Sequence, residues 1–127
     1  MIQVSEEQFE ALVEQAVAGI PERFKSHLEN VAFLVADAPS REQLERGGLL
    51  HGRGTLLGLY EGIPLPARGN GYNGVAPDII TVFRRPHEWL ASDEAELERM
   101  VHQTVWHEVA HYFGLGHGAI RELEQRS

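Results

Sequence analysis

The sequence predicts an α+β fold: a small mixed sheet packed against an N-terminal helix and a long buried helix near the C-terminus. Three observations predict it. Apolar residues recur at helical spacing near both ends, three apolar runs of strand length lie between them, and turn-rich segments separate the runs. Ser5 followed by Gln8 is a capping-box pattern, and Phe9, Leu12, Val13, Ala16, Val17 and Ile20 follow on one helical face. A helix over about 6–18 results, with Gly19 at its end. Pro21 suits the first position of a short second helix that turns Phe24 and Leu28 inward.

Val31 to Asp37 is apolar on both faces and reads as a strand covered on both sides. Ser40 and Gln43 repeat the capping box for a short helix ending near Gly47. Thr55 to Glu61 reads as a second strand. Residues 62–77 hold four glycines and three prolines and read as a long loop of functional type. Asp78 to Arg84, rich in β-branched residues, is the third strand. Ser92 or Asp93 caps a helix over about 93–113, and a last short helix turns Ile120 and Leu123 inward. Trp89 and Trp106 are assigned to the core.

The chain has 127 residues, which suits one domain, 1–127. It has no cysteine, so disulfides, thiolate metal sites and thiol nucleophiles are excluded. Any metal must be held by histidine and carboxylate. The formal net charge of −8, with Arg84–Arg85 the one adjacent basic pair, argues against a nucleic-acid partner. No apolar run approaches a membrane span. The acidic start does not resemble a signal peptide, and a cytoplasmic address is expected.

The long helix ends in HEVAHYFGLGH, residues 107–117. His107 and His111 are four apart, so both imidazoles leave one helical face, ~6 Å apart along the axis, and can converge on one ion. Zinc takes nitrogen ligands at ~2.0–2.1 Å in a roughly tetrahedral array. Gly114 can adopt the left-handed conformation that ends the helix and returns His117 toward the same ion as third ligand. The fourth corner is then left for water, as in catalytic zinc sites. Glu108 projects ~100° around the helix from His107 and ~60° from His111, which is oblique for ligation but suits a general base acting on that water. It lies on a helix apolar nearly all round, with no Lys or Arg within a turn, so an ionised Glu108 needs a partner. The bare His-Glu-x-x-His core is common by chance; the extension to Gly114 and His117 makes the signal specific. His27, His51, His87 and His102 are read as surface or hydrogen-bonded histidines. Among Tyr60, Tyr72 and Tyr112, Tyr72 in the glycine-rich loop is the best placed to donate to an oxyanion.

At this motif the chain resembles the zincin metallopeptidases, and most of all a family of small bacterial zincin-like proteins. The resemblance takes in LLGLYEG (56–62), the glycine-rich loop, PDIITVFRRP (77–86) and TVWHEVAHYFG (104–114). It implies a compact zincin-like fold, zinc on His107, His111 and a third ligand at 117, and Glu108 as general base. Many members carry aspartate where this chain has His117, which raises the net charge of the site by one. The histidine matches the extended metzincin pattern, yet only ten residues follow it and none is the methionine of a methionine turn. In larger zincins an edge strand binds substrate by strand addition, and the segment 79–84 is expected to fill that role here.

Three functions follow. The first is a zinc peptidase acting on a peptide or small protein substrate. The second is a metal-stabilised interaction module without turnover, since so short a chain has little left to build substrate pockets. The third is a metal-dependent endoribonuclease. One bacterial family of such enzymes shares the three-histidine spacing, but it lacks the glutamate after the first histidine.

Overall fold

The computed structural model describes residues 1–47, 55–62 and 77–114. The elements run α1 (Glu6–Ala18), α2 (Glu22–Lys25), β1 (Val31–Ala36), α3 (Arg41–Arg46), β2 (Gly58–Glu61), β3 (Asp78–Phe83), α4 (Arg84–Leu90) and α5 (Glu94–Tyr112). The architecture is α+β, and the described residues form a three-stranded mixed sheet in the order β1-β3-β2. Strand β3 runs parallel to β1, with Val31 opposite Asp78, and antiparallel to β2, with Tyr60 opposite Ile80.

Local chemistry sets most boundaries. Both capping boxes form. The Ser5 and Ser40 hydroxyls accept from the Gln8 and Gln43 amides at 3.1 Å, and each glutamine side chain accepts from its serine backbone N–H. Asp93 caps α5 by accepting from the Glu96 N–H at 2.8 Å. Two orphan N–H groups per box are thereby satisfied. Pro21 stands one position earlier than expected, at the N-cap of α2.

Helices α1 and α5 pack on each other; α5 crosses β2 and β3, and α1 touches β1. Phe9, Val13 and Ala16 of α1 meet Leu97, Val101, Val105 and Val109 of α5 and Ile80 and Val82 of β3 in one core. Leu97, Val101, Val105 and Val109 have no exposed surface, and burying each such side chain contributes about 1.5–3 kcal/mol. The buried helix α5 thus matches its apolar pattern.

Three expectations are corrected. Strand β1 is not covered on both sides: none of its residues is fully buried, and its Leu34 is 49% exposed; among the described residues it is a sheet edge. The strand buried on both faces is β3, where every residue but Ile79 is buried. Residues 84–90 form helix α4, which sequence periodicity did not disclose; Pro86 falls in its first turn, where a missing N–H is tolerated. Trp89, on that helix, is 70% exposed rather than in the core, whereas Trp106 is 2% exposed. Among the described residues no helix is long and apolar enough to cross a membrane. The expected C-terminal helix around Ile120 and Leu123, and the loop 63–76, lie outside the described residues.

Candidate metal centre

The last turns of α5 carry His107, Glu108 and His111, and one potential ligand atom from each falls within 4.8 Å of the other two. The two imidazole rings stand 4.6 Å apart, near perpendicular. Both histidines are half-buried, while Glu108 is 5% exposed. The four-residue spacing has therefore brought both rings to one face, as the helical repeat requires.

The helix stops where the motif needs it to. Phe113 is the C-cap, Gly114 takes φ +71, and its N–H donates to the His111 carbonyl at 2.9 Å. A left-handed residue at this position favours glycine and turns the chain away from the helix axis. His117, the expected third ligand, lies outside the described residues.

Buried Glu108 finds its partners in two places. Its Oε1 accepts from the backbone N–H of Tyr60 on β2 at 3.0 Å and lies 3.1 Å from His111 Nδ1. Oε2 takes no hydrogen bond from a described residue. An ionised carboxylate only accepts, so His111 Nδ1 carries the proton and Nε2 keeps its lone pair for a metal. The hydrogen bond to Glu108 holds the His111 pKa above its ordinary value, against the opposing effect of burial. Two imidazoles on one helix face, one with its tautomer fixed by a carboxylate, form a donor set suited to zinc.

The strand beside this cluster is β2. The Phe83 N–H donates to the Leu57 carbonyl at 2.9 Å, so residues 57, 59 and 61 pair with β3 and the N–H and C=O groups of Gly58 and Tyr60 point outward. A cleft of about 310 Å³ opens there, lined by Leu56, Gly58, Gln103, Thr104, His107 and Glu108 among others. The expectation that residues 79–84 supply an edge is thereby corrected. Strand β3 is paired on both sides and has no edge to offer, and Gly58 of β2, with Thr55, Leu56 and Leu57 just before the strand, lines the cleft instead.

The remaining candidates disperse. The Tyr60 hydroxyl donates to Asp78 at 2.7 Å, and the Tyr112 hydroxyl lies 3.4 Å from the His27 carbonyl. Tyr72 and His51 lie outside the described residues. His27 is exposed, and His102 packs beside Gly19 on the α1 side of the helix. His87 is fully buried, with Nδ1 2.6 Å from the Phe83 carbonyl and Nε2 2.8 Å from Thr104 Oγ1. Sequence reasoning missed the Tyr60 amide, because a backbone donor leaves no mark on residue type.

No curated protein matches the chain significantly. A family model described as zincin-like metallopeptidase matches residues 28–126. That span takes in the whole sheet and α5, and so the chain belongs to the zincin-like metallopeptidase family.

Proposed function

We propose that this chain is a zinc-dependent hydrolase of peptide bonds, with His107, His111 and His117 as metal ligands and Glu108 as general base. The observation that carries the reading is that His107 and Glu108, grouped with His111 within ligating distance of one another, line one cleft together with Gly58 of β2. Family membership supports it. When bound, zinc would supply Lewis-acid polarisation of the scissile carbonyl and lower the pKa of water.

The residues of the chain do the rest. Tyr60 and His111 both engage Glu108 Oε1, which fixes the carboxylate plane and leaves Oε2 for a proton. Glu108 takes that proton from the attacking water and returns it to the leaving amine. An extended peptide can pair with the outward N–H and C=O of Gly58, adding a strand to β2 and bringing its carbonyl to the cluster. The net charge of −8 favours a peptide over a polyanion such as RNA.

One observation favours the alternative of a metal-stabilised module without turnover: Glu108 already holds two hydrogen bonds. A single comparison separates the readings. Zinc content and cleavage of a mixed peptide library are measured for the native chain and for Glu108→Gln. The proposal expects zinc in both and cleavage by the native chain alone. Zinc in both with no cleavage by either supports the module. RNA cleavage that survives Glu108→Gln supports the nuclease.

A further inference from the structure

Strand β2 and helix α5 are jammed together at Gly58. A Cβ at this position would lie 2.7 Å from Thr104 Cγ2, 3.1 Å from the Thr81 carbonyl oxygen and 3.3 Å from Glu108 Cγ. Ordinary contact between carbon atoms is about 3.5–4.0 Å. Gly58 has no left-handed φ, so the position uses the missing side chain rather than the backbone freedom of glycine. Glycine inside a strand weakens it and often marks a close approach.

The facing methyl is itself held in place. Thr104 is 6% exposed, and its Oγ1 lies 2.8 Å from Nε2 of the fully buried His87 and 3.0 Å from the Met100 carbonyl. The Phe83 carbonyl can only accept, so His87 Nδ1 carries the proton, and the single proton of the Thr104 hydroxyl lies between two neighbours, His87 Nε2 and the Met100 carbonyl. With Oγ1 anchored, Cγ2 stays directed at Gly58.

We propose that Gly58 is a positioning residue for Glu108. Its bare Cα lets β2 settle against Thr104, and that spacing delivers the Tyr60 N–H to Glu108 two residues along the same edge. Its catalytic meaning rests on the reading of Glu108 as general base. A side chain at 58 must move β2 outward by about 1 Å to regain normal contact. The same displacement takes the Tyr60–Glu108 bond, 3.0 Å long, beyond hydrogen-bonding range.

The test compares the native chain, Gly58→Ala and the double variant Gly58→Ala/Thr104→Ser, all without metal. The serine removes Cγ2 but keeps the hydroxyl that His87 engages. Amide hydrogen exchange is followed by NMR at Tyr60, which faces α5, and at Leu59, which faces β3 in the ladder. In Gly58→Ala, exchange at Tyr60 should quicken by about tenfold, the equivalent of one hydrogen bond, with Leu59 unchanged. The double variant should recover part of the Tyr60 protection. Peptide turnover, measured separately with zinc, should fall about 100-fold in Gly58→Ala and recover in parallel. Should Gly58→Ala not fold, recovery of folding in the double variant carries the same meaning. Unchanged exchange at Tyr60, equal acceleration at Leu59, or a double variant no better than the single one overturns the proposal. Turnover absent from the native chain would instead sink the peptidase reading and leave the amide measurement to decide the role of Gly58.

Discussion

The backbone N–H of Tyr60 donates to the Glu108 carboxylate at 3.0 Å across 48 residues of sequence. This bond ties the outward edge of β2 to the helix that carries the histidine pair. It also satisfies a buried acid that the sequence left without a cationic neighbour. Removing the carboxylate takes away the acceptor of a part-buried hydrogen bond, and losing such a bond costs about 0.5–1.5 kcal/mol. In the metal-free protein, Glu108→Ala should lose about that much stability in urea denaturation. Glu108→Gln should lose less, because its amide oxygen can still accept from Tyr60. Equal losses for the two would show that the Tyr60 bond contributes nothing.

The two tryptophans should behave oppositely. Trp106 is 2% exposed and meets Phe24 edge-on at 5.6 Å, whereas Trp89 is 70% exposed. Trp106→Ala should destabilise the protein by about 3–5 kcal/mol, and Trp89→Ala should stay within about 0.5 kcal/mol of the native chain. Thermal unfolding of the two variants checks the pair. A large loss from Trp89→Ala would contradict the exposed position of Trp89 on α4.

His87 should make metal-free stability sensitive to acid. Burial lowers its pKa below the ordinary 6.5, outweighing the carbonyls of Phe83 and Met100, which act to raise it. The folded state therefore favours the neutral ring. That contribution is fully present above pH 6.5 and is lost as the pH falls from 6.5 toward the lowered folded value. His87→Gln removes the titration, so the stability advantage of the native chain over the variant should be largest at about pH 8 and shrink by about pH 5. Denaturant midpoints of both proteins at the two pH values provide the measurement. An advantage that stays constant with pH would contradict a neutral, buried His87.

Much of this structure was legible in the sequence, and the parts that were not share a cause. The capping boxes at Ser5 and Ser40, the cap at Asp93 and the break at Gly114 are local signals, and each appears where its chemistry requires. The convergence of His107 and His111 follows from helical geometry alone. Strand order is a long-range property: nothing in residues 79–84 reveals that they pair on both sides, so the edge role was assigned to β3 instead of β2. Helix α4 was hidden because RRPHEWL has no apolar stripe, and its Trp89 faces solvent. The partner of Glu108 was invisible because it is a main-chain group, although LLGLYEG already stood out as a segment shared with the family.

The proposed function requires a zinc ion held by three imidazoles with one position open. The most direct measurement is X-ray absorption at the zinc edge on the loaded native chain and on His117→Ala. The native chain should show three histidine nitrogens at about 2.0–2.1 Å with a further light-atom ligand, and the variant one histidine fewer. A native chain that binds no zinc, or a histidine count that His117→Ala leaves unchanged, would contradict it.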